Sequence, residues 1–185
     1  MPFSFLKNIE GYNELFSGFY ISRKLNFDKK DILEKIELIK NKDTLGVNLS
    51  NAGGYQTQPY LCQYPEFSDL KKSIELLFNE ATGRKIVLTE MWANVNPKGT
   101  YNNKHDHSGT TQEMFSMFSG VLYIKVPKGE SGSLMFYNPF SENIAYTYDP
   151  LEDDILFFPN YMAHSVTPNF TDEERVSIAF NGDLL

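Results

Sequence analysis

The sequence predicts a mainly β fold with flanking helices, an antiparallel sandwich or jelly roll buttressed by those helices. Three observations carry this. Two stretches with helical spacing fall in the first 84 residues, and six or more short β runs separated by turns follow from Lys85 onward. The 185 residues, 41% hydrophobic and 15% aromatic, are enough to bury a core. Neither an internal repeat nor a linker breaks the chain, which reads as one domain over 1–185, with helical and strand support over about 1–84 and a jelly-roll core over about 85–185.

Each element has a local reason. Phe19–Ser22 reads as a short strand, after which Asp28 or Asp31 can cap a helix carrying Ile32, Leu33, Ile36 and Ile39 at helical spacing. Asn51-Ala52-Gly53-Gly54 is a loop signal, since paired glycines reach positive φ without steric cost. Ser68 suits the N-cap of a second helix, with Leu70, Ile74, Leu77 and Phe78 on one face and Gly83 where it stops. The β runs are 85–96, 118–126, 133–137, 144–148, 155–158 and 175–180, punctuated by Gly99, Pro127-Lys128-Gly129, Asn138-Pro139 and Pro168-Asn169. Phe136, Phe140, Phe157 and Phe158 read as core packing.

Composition narrows the function classes. With 17 Lys and Arg against 24 Asp and Glu, a net charge of −7 and no basic cluster, the chain is a poor match to a phosphate backbone, which argues against a nucleic-acid partner. No run approaches 18 apolar residues, so no membrane span is expected. Cys62 stands alone, which excludes an internal disulfide and a cysteine-built zinc site. The first residues lack a charged, then apolar, leader pattern, so the chain reads as cytoplasmic.

The chemistry concentrates in three histidines. His105 and His107 are two apart, and on a strand residues i and i+2 share a face, so both imidazoles can meet one ion while Asp106 points away. His164 follows 57 residues after His107, beyond an aromatic strand and a turn-like Pro159-Asn160. Neutral imidazole is the commonest nitrogen ligand for iron, zinc, copper and nickel. A solvated surface pair is the plain alternative. Arg175 and Ser177 share one face of the last strand, where a guanidinium and a hydroxyl can clamp a carboxylate. An ordinary salt bridge to the preceding Asp172-Glu173-Glu174 is the alternative there.

Several segments resemble the small iron(II)/2-oxoglutarate-dependent oxygenases of phages and bacteria. These are Ser50 to Thr57, Trp92 to Asn96 with Gly99, Asn102 and His105-Asp106-His107, Ser119-Gly120-Val121-Leu122-Tyr123, Phe157-Phe158-Pro159 through His164-Ser165-Val166, and Arg175 to Asn181. Their order and spacing extend over roughly 130 residues. The resemblance implies a double-stranded β-helix, the cupin-like jelly roll, holding Fe(II) at one open end, in a bacterial or infected host cell. It also implies that 2-oxoglutarate and O2 are cosubstrates, that 2-oxoglutarate is decarboxylated to succinate, and that a substrate is hydroxylated. His105, His107 and His164 would be the metal ligands and catalytic residues, Arg175 with Ser177 would hold the far carboxylate, and Asn96 and Tyr123 would bond the cosubstrate or metal-bound oxygens. The substrate would be a small molecule or a protein side chain, and a homodimer is an option for such folds.

The chain departs from the wider pattern in one respect. Where His-x-Asp is usual, His107 stands at the carboxylate position, and Asp106 can ligate only if the segment bulges. The stretch from Ser108 to Phe118 is longer than the usual link and would form a lid or substrate-selecting loop. A second reading treats Gly99, His105, His107, Glu113 and Gly120 as a cupin motif with Glu113 as a fourth ligand, in a cupin-type metal enzyme or sugar-binding protein. A third is a non-catalytic jelly-roll binding module.

Overall fold

The computed structural model describes residues 9–15, 18–108, 118–140 and 144–185. Twelve strands are present among them: β1 (Tyr12–Leu15), β2 (Gly18–Lys24), β3 (Asn51–Ala52), β4 (Tyr55–Gln56), β5 (Ile86–Asn96), β6 (Tyr101–His105), β7 (Phe118–Lys125), β8 (Leu134–Tyr137), β9 (Ile144–Tyr148), β10 (Asp154–Pro159), β11 (His164–Val166) and β12 (Arg175–Leu184). Two helices, α1 (Lys29–Lys42) and α2 (Ser68–Thr82), precede β5. The strands form a seven-stranded sheet in the order β1-β2-β10-β7-β12-β5-β4 and a five-stranded sheet in the order β3-β6-β11-β8-β9, with antiparallel pairing throughout both. This is a jelly roll, and it draws strands from both sides of residue 84.

Two apolar layers explain the arrangement. Along β10, Ile155 and Phe157 face the helices, while Leu156 and Phe158 face the smaller sheet, so all six residues of this strand are buried. On the helix side, Ile32 and Ile36 of α1 and Leu70, Ile74 and Phe78 of α2 share one buried cluster with Phe118, Phe157 and Phe180. The Phe78 ring lies 5.0 Å from Phe118 and 5.2 Å from Phe157, both edge-on. Between the sheets lie Tyr20, Tyr123, Leu134, Phe136, Leu156, Phe158 and Met162.

Local expectations divide accordingly. Asp28 caps α1, its side chain accepting from the Asp31 amide at 3.0 Å, and Gly83 closes α2 in the left-handed conformation at φ 69°. Ser68 is not a cap. A 3-10 turn over Pro65–Phe67 runs directly into α2, so Ser68 is already helical and Phe67 occupies the cap position without a side-chain bond. Phe136, Phe157 and Phe158 are core residues, whereas Phe140, in the turn after β8, is 82% exposed. No helix among the described residues is long and apolar enough to cross a membrane.

Candidate metal and cosubstrate site

β6 and β11 are hydrogen-bonded neighbours, and their register sets His164 opposite His105. β6 ends at His105. His107 therefore does not reach the site by strand alternation: the chain leaves β6, and the His107 amide donates to the Asn160 carbonyl at 2.9 Å, which holds the turn against the β10–β11 connection. The three imidazoles converge, with ring centroids 4.4 Å (His105–His164), 5.0 Å (His107–His164) and 5.2 Å (His105–His107) apart. One nitrogen from each lies within 4.8 Å of the others, which makes the three histidines a candidate group for holding a single ion.

Hydrogen bonds prepare the nitrogens. His105 Nδ1 lies 2.7 Å from the Asn103 carbonyl and His164 Nδ1 2.8 Å from the Met162 carbonyl. A carbonyl only accepts, so both Nδ1 atoms carry the proton and both Nε2 atoms present lone pairs. His107 Nδ1 contacts Asn181 Oδ1 at 2.8 Å and Ser119 Oγ at 2.9 Å. Burial depresses all three pKa values, that of His107 to about 4, with the neighbouring imidazoles pushing the same way on His107 and His164. At neutral pH the cluster is therefore uncharged and free to ligate.

Asp106 takes no part in the cluster. Its Oδ1 accepts from the Ser108 amide at 3.0 Å and the Ser108 hydroxyl at 2.6 Å, closing an exposed turn. Glu113 and most of the expected lid, 109–117, lie outside the described residues.

Arg175 closes the other end of the same cavity, which is lined by His105, His107, His164, Arg175, Ser177 and Tyr123 among others. It is 2% exposed, yet no described carboxylate pairs with it. The acidic run before it is engaged elsewhere, Asp172 with Lys98, Glu173 with Lys125 and Glu174 with Lys40. The salt-bridge alternative is thereby removed. One terminal nitrogen donates to the Gly132 carbonyl and the other to Asn96 Oδ1, both at 3.1 Å, while Nε is buried with no partner among the described residues. Gly132 sits at φ 102°, and a Cβ there would come 3.0 Å from the guanidinium, so glycine is required where the loop approaches.

Ser177 lies opposite Asn94 on β5 and Tyr123 on β7, and all three line the cavity. Asn94 Oδ1 is buried without a partner among the described residues. Burial raises the Tyr123 pKa against the pull of Arg175. Asn96 is placed differently from its expected role: its side-chain oxygen holds Arg175 rather than facing the cavity. Trp92, 5.4 Å ring to ring from His107, forms part of the wall.

The residues fit both groups: three neutral nitrogen donors for a borderline divalent metal, and a buried cation with no carboxylate partner and an orphaned N–H among the described residues for an anion. A jelly roll with imidazoles at one end of a cavity and a buried arginine at the other, without a carboxylate partner among the described residues, is the build of a metal enzyme that takes an organic acid. A model of the family described as "Putative 2OG-Fe(II) oxygenase" matches residues 90–181, and the chain belongs to that family. It is thus an oxidoreductase that uses iron(II), 2-oxoglutarate and O2, decarboxylating 2-oxoglutarate to succinate.

Solved structures agree in fold. A viral collagen prolyl hydroxylase from Paramecium Bursaria Chlorella virus-1, in complex with 2-oxoglutarate, is 13% identical with a TM-score of 0.64, covering 88% of this chain and 94% of that one. A Pseudomonas putida prolyl-4-hydroxylase is 13% identical with a TM-score of 0.62, covering 89% and 92%. HygX from Streptomyces hygroscopicus, with nickel and 2-oxoglutarate bound, is 12% identical with a TM-score of 0.61, covering 89% and 82%. No curated protein matches the chain in sequence.

Proposed function

We propose that His105, His107 and His164 hold the iron through Nε2, and that Arg175 with Ser177 anchors the far carboxylate of 2-oxoglutarate. The observation that carries this is the buried Arg175 without a described carboxylate partner, in the cavity the three imidazoles line. When bound, the iron supplies oxygen activation and the oxidising power that the side chains lack.

The chain's own residues do the rest. The neutral imidazoles need expel no proton to bind metal near pH 7. Asn96 and the Gly132 carbonyl fix the plane of the guanidinium, so a carboxylate meets a fork already oriented. The Ser177 hydroxyl and the Asn94 amide add polar contacts along the cavity, and Trp92, Val121, Leu134 and Phe158 keep water from its walls. Tyr123 stays protonated and can donate to an oxygen beside Arg175.

The substrate class is a protein side chain or a small molecule. A structural neighbour from Trichoplax adhaerens, 14% identical, holds a peptide fragment and supports the former. The epimerase SnoN, also 14% identical and complexed with nogalamycin RO, supports the latter.

The test is anaerobic Fe(II) protein titrated with 2-oxoglutarate. A metal-to-ligand charge-transfer band is expected, then succinate on admitting O2, with both lost in His164→Ala. If neither band nor succinate appears in the iron-loaded protein, the assignment fails.

A further inference from the structure

His107 differs from the other two imidazoles in what holds its second nitrogen. His105 and His164 face backbone carbonyls, which can only accept. His107 faces a side-chain amide and a hydroxyl, and either group turned around could donate to Nδ1 instead. The proton would then move to Nε2, and that nitrogen would lose its lone pair.

Glu90 removes this freedom. Asn181 Nδ2 lies 2.6 Å from Glu90 Oε2, and an ionised carboxylate only accepts, so the amide nitrogen must face Glu90. Asn181 Oδ1 must then face His107 and accept from Nδ1. Ser119 commits its hydroxyl proton to that same oxygen at 2.8 Å, so it cannot donate to the imidazole. The register enforces the arrangement, because Asn181 on β12 lies directly opposite Glu90 on β5 and Ser119 on β7.

We propose that Glu90, acting through Asn181, is a positioning residue that fixes the tautomer of His107 and so keeps its Nε2 available to the metal. A ligand set without a described carboxylate thereby receives one at two hydrogen bonds' remove, and the anion also strengthens the imidazole as a donor. The inference rests on His107 being a ligand, but the position of its proton can be read with no metal present.

The experiment is long-range 1H–15N NMR of the metal-free protein labelled at its three histidines, with Co(II) affinity measured in parallel. In the wild type all three should carry the proton on Nδ1. In Glu90→Gln the new amide can present either end, Asn181 is free to turn, and His107 should populate both tautomers while His105 and His164 stay unchanged. Cobalt affinity should fall about 10-fold or more. Adding Asn181→Asp to Glu90→Gln places an acceptor-only group beside His107 and should restore both readouts. A merely structural Glu90 would lower the melting temperature without moving the tautomer.

His107 remaining wholly protonated on Nδ1 in Glu90→Gln, with unchanged cobalt affinity, overturns the proposal. Should that variant not fold, Asn181→Ala is read the same way, and an unmoved His107 tautomer in it overturns the proposal equally. A tautomer shift with no loss of cobalt affinity would instead overturn the assignment of His107 as a ligand.

Discussion

Replacing Arg175 with leucine should separate cosubstrate binding from folding. A guanidinium has five N–H groups, and the structure commits two of them, one to the Gly132 carbonyl and one to Asn96 Oδ1. Three remain, Nε–H among them, and a carboxylate can take two as parallel bonds. Hydrogen bonds involving charged groups contribute about 1.5–3 kcal/mol each, so losing the pair should cost about 3–6 kcal/mol of binding. At about 1.4 kcal/mol per tenfold, that is a factor of roughly 10² to 10⁴ in affinity. The folding effects oppose one another. Leucine removes a buried charge whose desolvation costs several kcal/mol, but it strands the Asn96 and Gly132 oxygens at about 1–3 kcal/mol each. Melting should therefore shift by only a few degrees. The assay is calorimetric or spectroscopic titration of 2-oxoglutarate into anaerobic Fe(II) protein, with thermal melts alongside. Binding within threefold of wild type would refute the placement of the cosubstrate at Arg175. A large drop in melting temperature with binding retained would make the arginine a strut of the core.

Three further outcomes can be checked. Co(II) at 100 times its dissociation constant should stabilise the wild type by about 2.7 kcal/mol, and His164→Ala should abolish this in a thermal-shift measurement; an equal shift in the variant would remove His164 from the ligand set. In metal-free protein, His107 titrates at about 4 when folded and near 6.5 when unfolded. Both states are neutral above 6.5, and acid protonates the unfolded chain first, so stability present above 6.5 is lost as pH falls towards 4, about 3 kcal/mol from this residue at 1.36 kcal/mol per pH unit. Denaturant unfolding should show the wild type falling more steeply over that window than His107→Gln, and parallel curves would contradict the depressed value. Gly120→Ala should destabilise by about 1–3 kcal/mol, because a Cβ there would come 2.3 Å from the Phe180 ring and 2.4 Å from the Leu156 carbonyl; an unchanged melting temperature would mean that the Phe180 ring yields freely.

What could be read from the sequence divides along physical lines. The long strands of the larger sheet announce themselves through apolar runs, and Asp28 and Gly83 through capping chemistry. The strands that build the site do not: β3 and β4 have two residues each, β11 has three, and β6 reads Tyr-Asn-Asn-Lys-His with no apolar alternation. Spacing brought His105 and His107 together for a reason that does not operate, since the second lies past the end of its strand. The link from Glu90 through Asn181 joins residues 91 positions apart, and pairing across a sheet leaves no local trace in composition. Asn96 was legible as a polar residue on the right face, but not as the partner of Arg175, because that depends on the register of β5 against β12.

That same strand has a mechanical consequence. β12 begins at Arg175 and carries Asn181 six residues later, roughly 20 Å along an extended chain. It is hydrogen-bonded on both edges between those points, to β5 and to β7, with irregularities only at Val176/Ser177 and Asn181/Gly182. Arg175, the proposed carboxylate anchor, and Asn181, the proposed brace behind His107, are thus two marks on one stiff ruler. A lone side chain can lean, but the interval between the marks cannot be adjusted at one end alone, so with the proposed ligands the cavity would gauge the length of the acid that bridges it. A one-residue slip of β12 would misplace both marks at once.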